Sequence, residues 1–104
     1  MKRFKTTVTR TDEYIIEIDE NVIDEQWMDD FRKHFYRFDS YEEHAEHIAQ
    51  IRAKQGEGFI EGYGSTMIDG KPPWWSAKDY ERGINIIVKS EGKDCEVEVE
   101  EIEW

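Results

Sequence analysis

The sequence is poor in the residues that brace or break small domains. It contains one cysteine, Cys95, so neither an internal disulfide nor a zinc knuckle or CxxC site can form, and the fold must stand on packing alone. Its two prolines, Pro72 and Pro73, are adjacent, which confines residues that cannot donate to a strand ladder to one place. No apolar run approaches the roughly 18 residues that span a bilayer. The first ten residues have no apolar stretch after their bases, unlike a signal peptide, so a cytoplasmic protein with no membrane partner is expected. Bases are scarce as well: 14 Lys+Arg against 25 Asp+Glu leave a formal net charge of −11. Contact with phosphates needs a basic patch, which argues against direct binding of nucleic acid.

Mean hydropathy is also low, −0.88, and with high net charge this is the signature of disorder. The aromatics argue otherwise. Four Trp, five Tyr and five Phe each bring about 150 to 250 Å² of surface to bury. A chain of 104 residues fits a single domain, residues 1 to 104, with one core.

Period-two alternation predicts strands over Phe4, Thr6, Val8 and over Tyr14, Ile16, Ile18. The polar stretch Thr9–Glu13 between them reads as a hairpin loop, the alternative being one continuous bent strand. Spacings of three and four then predict a helix over about Val22–Tyr36, capped by Asp19 or Asn21, with Ile23, Trp27, Phe31, His34, Phe35 and Phe38 on one face. Ser40 and Glu43 form an S-x-x-E capping box, so a second helix is expected from Tyr41 to about Lys54. It should stop at Gly56, with Tyr41, Ala45, Ile48 and Ile51 as its buried stripe.

The remainder reads as strands. Phe59–Tyr63 and Thr66–Ile68 surround Gly62 and Gly64, which mark a bend or bulge. Asp69-Gly70 is a turn and residues 70 to 83 an irregular loop. Ile84–Lys89 and Cys95–Ile102 are strands joined by a hairpin turn at Ser90–Asp94. The expected fold is therefore α+β: an antiparallel sheet of four to five strands with two helices on one face, in the order β-β-α-α-β-β-β.

Charge is segregated along this chain. Residues 11 to 30 hold nine acids and no base, and residues 94 to 104 hold six (Asp94, Glu96, Glu98, Glu100, Glu101 and Glu103) and no base, whereas residues 1 to 10 hold four bases and no acid. On the last strand Glu96, Glu98 and Glu100 share a face at intervals of about 6.6 to 6.8 Å. Glu17 and Asp19 extend this row into a patch if their strand shares the face. Two readings are open: the wet side of an ordinary acidic protein, or a face that imitates the regular charge of a nucleic-acid backbone and attracts a basic groove. Mutual repulsion within such a patch would raise its carboxyl pKa values, so a higher melting temperature at mildly acidic pH is expected.

Other constellations are weaker. His44 and His47 lie at i, i+3 on the second helix and His34 on the first, a conceivable metal or ligand module, yet familiar helical zinc pairs come at i, i+4. No metal and no cofactor are expected. Ser65 lacks a nucleophile elbow, Cys95 reads as a small buried hydrophobe, and 25 acids make carboxylate pairs uninformative, so no catalytic residue is assigned and a non-enzyme is expected. Trp74 and Trp75 cannot both point inward from an extended loop. They either anchor a partner or fold back as a lid on the sheet.

Four segments carry a resemblance: residues 7 to 14 (TVTRTDEY), 27 to 33 (WMDDFRK), 42 to 49 (EEHAEHIA) and 59 to 64 (FIEGYG). With these the chain resembles small acidic proteins carried by phages and conjugative elements of bacteria, proteins with no activity to carry over. What the resemblance implies, by analogy with anti-CRISPR and anti-restriction inhibitors that mimic DNA, is a non-enzymatic inhibitor. Its partner would be a basic nucleic-acid-binding protein such as a CRISPR or restriction nuclease. Glu17, Asp19, Glu96, Glu98, Glu100, Trp74 and Trp75 are the residues expected to contact it.

Overall fold

A computed structural model describes residues 1 to 102, the side chain of Asp94 excepted; Glu103 of the acidic tail lies outside the described residues. Five elements follow in order: β1 (Arg3–Ile18), α1 (Glu25–His34), α2 (Tyr41–Gln55), β2 (Thr66–Ile68) and β3 (Glu81–Ile102). The fold is α+β, but the sheet differs from expectation. It has three strands in the order β1-β3-β2, with β1 antiparallel and β2 parallel to β3. The sheet is thus mixed, and the chain order is β-α-α-β-β.

Both expected hairpins are absent. Thr9–Glu13 contains neither glycine nor proline and keeps its strand alternation, so β1 runs through it without turning. The turn residues Ser90–Asp94 form an irregularity inside β3 instead. Between the pairs Thr11↔Asp94 and Glu13↔Ser90, β1 advances two residues while β3 advances four; from there to Tyr14↔Val88 it advances one against two. Gly92 takes the left-handed φ of +70° that such a bulge requires. Phe59–Tyr63 is likewise a tight turn closed by the bridge Ile60↔Gly64, with no strand. Gly62 is at φ +90°, and a Cβ there would lie 2.7 Å from the Phe31 ring, so only glycine fits.

The helices start where caps dictate. Asp24, rather than Asp19 or Asn21, caps α1 by accepting from the Trp27 amide at 2.9 Å. Ser40 caps α2 through the Glu43 amide, while the Glu43 carboxylate takes the Asp39 amide at 3.0 Å. Gly56 ends α2 at φ +73°. Because α1 stops at His34, both His34 and Phe35 are exposed rather than core-facing.

Along β1 the even residues face the helices: Tyr14, Ile16 and Ile18 pack with Ile84, Ile86 and Val88 of β3 against Ile23, Met28, Phe31, Ile48, Ile60 and Tyr63. From α2 the fully buried residues are His44, Ile48 and Arg52, a stripe at i, i+4, i+8; Tyr41, Ala45 and Ile51 are half-buried at its margin.

Arg52 is 4% exposed and binds Glu91 of the bulge bidentately, Nε to Oε2 at 2.8 Å and the second nitrogen to Oε1 at 3.0 Å. Tyr14 donates its hydroxyl to the same carboxylate. This triad marks the end of the core. Beyond it Arg3–Thr11 and Asp94–Ile102 continue as a two-stranded arm, and the molecule reaches 59 × 30 × 19 Å.

Removing either partner of this pair strands the other. Glu91→Ala leaves the buried guanidinium only Glu57, 3.9 Å away, as counter-charge and should cost about 3 kcal/mol in urea unfolding, the low end for breaking a buried pair. Arg52→Met leaves a carboxylate that water and Tyr14 still reach, with an expected loss of about 1 to 3 kcal/mol. Equal losses would mean that the guanidinium is hydrated.

Candidate functional site

The arm is the part of the molecule with both faces in solvent; the described side chains of residues 1 to 10 and 95 to 101 are all exposed. Residues paired directly across an antiparallel ladder share a face. Lys5↔Glu100, Thr7↔Glu98 and Thr9↔Glu96 therefore lie on one face, and Phe4↔Glu101, Thr6↔Val99, Val8↔Val97 and Arg10↔Cys95 on the other. The glutamate row stands as expected on the polar face. Its cross-strand neighbours are a lysine and two threonines. Like charges do not oppose each other there, so the repulsion expected from the sequence is not built in. Cys95, expected to be buried, is exposed on the arm.

Glu17 and Asp19 are not part of that row. Glu17 shares the polar face by alternation, but it pairs with Asn85, eight residues along β1 from Thr9, about 27 Å away. There its Oε1 accepts from the Asn85 amide at 2.7 Å, and Asn85 Oδ1 accepts from the Gly70 amide at 2.9 Å. Asp19 lies past the strand end and accepts from the Asn21 amide at 2.9 Å. The two acids border a shallow cavity of about 420 Å³ with Met67, Arg82 and Gly83. On α1, Arg32 collects Glu25 at 2.9 Å, Asp29 at 3.7 Å and Asp39 at 3.8 Å, so part of the acidic segment is neutralised locally.

The tryptophans divide, but from a turn and not from an extended loop: the Ser76 amide donates to the Pro73 carbonyl at 3.2 Å with Trp74 and Trp75 between them. Pro73 is buried, Trp74 is 82% exposed, and the Trp75 indole donates to Ser65 Oγ at 3.0 Å. The rings meet edge to face at 5.6 Å. Trp74 Nε1 lies 3.5 Å from Glu57, which in turn lies 3.9 Å from Arg52. The exposed indole is thereby placed near the base of the arm. Comparison with protein-family models, curated proteins and solved structures finds no match to this chain. Its site is read from chemistry alone.

The histidines do not converge. Among the described residues no group of three or more His, Cys, Asp or Glu is placed to hold a metal. His34 Nδ1 meets the Asp30 carbonyl at 2.9 Å, and His47 packs edge-on to Tyr36 and Phe38. His44 is 1% exposed. Its Nδ1 lies 2.7 Å from the Tyr63 hydroxyl, while Nε2 has no hydrogen-bond partner among the described residues.

Burial pushes the Tyr63 phenol pKa well up, so this hydroxyl keeps its proton, and the imidazole tautomer sets which of the two groups donates in the bond to Nδ1. The imidazole sits among rings: Phe31, Phe38 and Trp27 lie edge-on to it at 4.8, 5.2 and 5.7 Å. The sequence signal for this site was the i, i+4, i+8 run His44, Ile48, Arg52, which a stripe drawn through apolar residues alone misses.

Acid should weaken the fold, contrary to the expectation of mutual repulsion. Burial lowers the pKa of His44, despite Glu43, and likewise that of His47, despite Glu61. Lowered folded values mean that the unfolded chain binds more protons, so stability falls as pH drops from about 6.5 towards the folded pKa values. Glu91 is held below the usual carboxylate range by Arg52 and Tyr14, and Asp12 by the Gly92 amide and Arg10. Their contributions are lost at still lower pH. The melting temperature should be lower at about pH 5.5 than at about pH 8, with the difference smaller in His44→Phe. A rise on acidification would restore the repulsion reading.

Proposed function

We propose that this protein is a non-enzymatic inhibitor from a mobile genetic element. It lays the glutamate row of its arm on the basic nucleic-acid-binding surface of a host defence nuclease of CRISPR or restriction type. The observation that carries the reading is a projecting ribbon, solvated on both faces, that presents Glu96, Glu98 and Glu100 in line. Their interval of about 6.8 Å is twice the 3.4 Å rise of one DNA strand, so successive carboxylates match every second phosphate along the axis.

A groove shaped for a duplex admits a narrow ribbon more readily than a rounded body. The net charge of −11 steers the encounter, and Trp74 offers an apolar anchor beside the arm that slows dissociation. The resemblance to proteins of phages and conjugative elements supplies the biological setting. Glu17 and Asp19 have local structural duties and contribute to the overall field rather than to the contact.

The test is binding to a panel of purified, DNA-free CRISPR and restriction nucleases, with DNA as competitor. The expected complex is displaced by DNA and weakens roughly ten- to a hundredfold between about 50 and 200 mM salt. It weakens at least about tenfold when Glu96, Glu98 and Glu100 are all changed to Gln, with the melting temperature preserved. A complex indifferent to salt and to these changes, or no complex with any nuclease of the panel, refutes the proposal.

A further inference from the structure

The opposite face of the arm carries a separate inference. Phe4, Val8, Val97 and Val99 are 55, 63, 60 and 64% exposed, and register places all four on one face with Thr6 and Cys95. Together they leave about 400 Å² of apolar surface in water, the size at which a patch marks an interaction site. A two-stranded ribbon is marginally stable by itself. This face is also in phase with Tyr14, Ile16 and Ile18 of the same strand, which the helices do cover. The arm is therefore built like a core strand pair whose covering layer is missing.

We propose that a second copy of the chain supplies that layer, the two arms stacking face to face and antiparallel about a twofold axis. Four rows make up the face: Phe4/Glu101, Thr6/Val99, Val8/Val97 and Arg10/Cys95. An axis lying across the strands between the two middle rows sets Thr6/Val99 of one copy on Val8/Val97 of the other, an all-apolar centre save for the threonines. It also sets each outer row on its opposite number. β1 then overlies β1, so Arg10, whose Nε also binds Asp12 of its own chain at 3.0 Å, lies over Phe4 of the other copy and reaches Glu101 diagonally on the neighbouring strand; these are the two charged side chains of the four rows, one of each sign. Isologous contacts require this kind of self-complementarity.

The parallel alternative is disfavoured, because the apolar face is in phase with the helix-covered residues Tyr14, Ile16 and Ile18 of β1 and stacking in that sense brings both bodies to the same end. The antiparallel arrangement puts the bodies at opposite ends. It buries about 800 Å² of apolar side chain in total, at the weak end of specific interfaces, so the dimer should dissociate in the micromolar range. Both glutamate rows stay on the outside, and the dimer does not depend on the inhibitor reading.

The decisive experiment is a charge swap on the protein alone. Within one copy Arg10 and Glu101 lie in rows six residues apart, about 20 Å, so coupling between them can arise only across copies. Sedimentation equilibrium from about 1 to 500 µM should show a reversible dimer. Arg10→Glu and Glu101→Arg should each weaken it roughly tenfold or more, and the double variant should recover most of the loss. Both substitutions sit on exposed arm positions, and an unchanged far-ultraviolet circular dichroism spectrum of all three variants confirms the fold. A monomer throughout that range overturns the proposal, and so does a dimer that the single changes leave intact or that the swap does not restore.

Discussion

The pairing of Arg52 with Glu91 divides this molecule into two parts. On one side of it α1 and α2 cover the sheet and the even residues of β1 are shielded; on the other side the same two strands run on with nothing above them. The pair sits where β3 leaves regular register with β1, so α2 is tied through its last turns to the bulge that Gly92 makes possible. A buried ion pair adds little net stability compared with apolar packing, because desolvation offsets much of the attraction. Its consequence here is geometric. Glu91 is held by two donors, Arg52 and Tyr14, on the side facing the helices, and β3 passes the irregularity without turning back on itself.

The same division sorts the charges. Acids within the body have local partners: Glu25, Asp29 and Asp39 around Arg32, Asp12 between Arg10 and the Gly92 amide, Glu17 against Asn85. The glutamates of the arm instead face lysine and threonine across the ladder. A strongly negative sequence has become a body with much of its acid paired and a thin ribbon with one charged face and one apolar face. The two faces suit different chemistry, one a basic surface and the other an apolar layer.

Several features were legible because they depend on neighbours in the chain. The Ser40 cap, the Gly56 stop, the Asp69-Gly70 turn, the bend at Gly62 and Gly64 and the alternation of Glu96, Glu98 and Glu100 all arise within a few residues. The α+β class followed from the succession of periods two and 3.6. The fates of Trp74 and Trp75 did not follow in this way, because the pair sits in a turn between Pro73 and Ser76 where the expectation assumed an extended loop. His44 and Arg52 were left out of the buried stripe of α2 because polarity is a poor guide where a buried partner exists: Tyr63 lies 19 residues from His44, and Glu91 lies 39 from Arg52.

The sequence by itself determined the local periods, caps and turns, the absence of covalent bracing, and the spacing of the glutamate row. Tertiary structure decided whether Thr9–Glu13 and Ser90–Asp94 would be turns or strand. Each segment is ambiguous alone, and only the choice of partner resolves it: two local hairpins or one long ladder between residues some 70 to 100 positions apart. Packing settled that choice. The long ladder lets Tyr14, Ile16 and Ile18 meet Ile84, Ile86 and Val88 under the helices, a burial that two separate hairpins could not both reach, and it leaves the far ends of the same strands projecting as the arm.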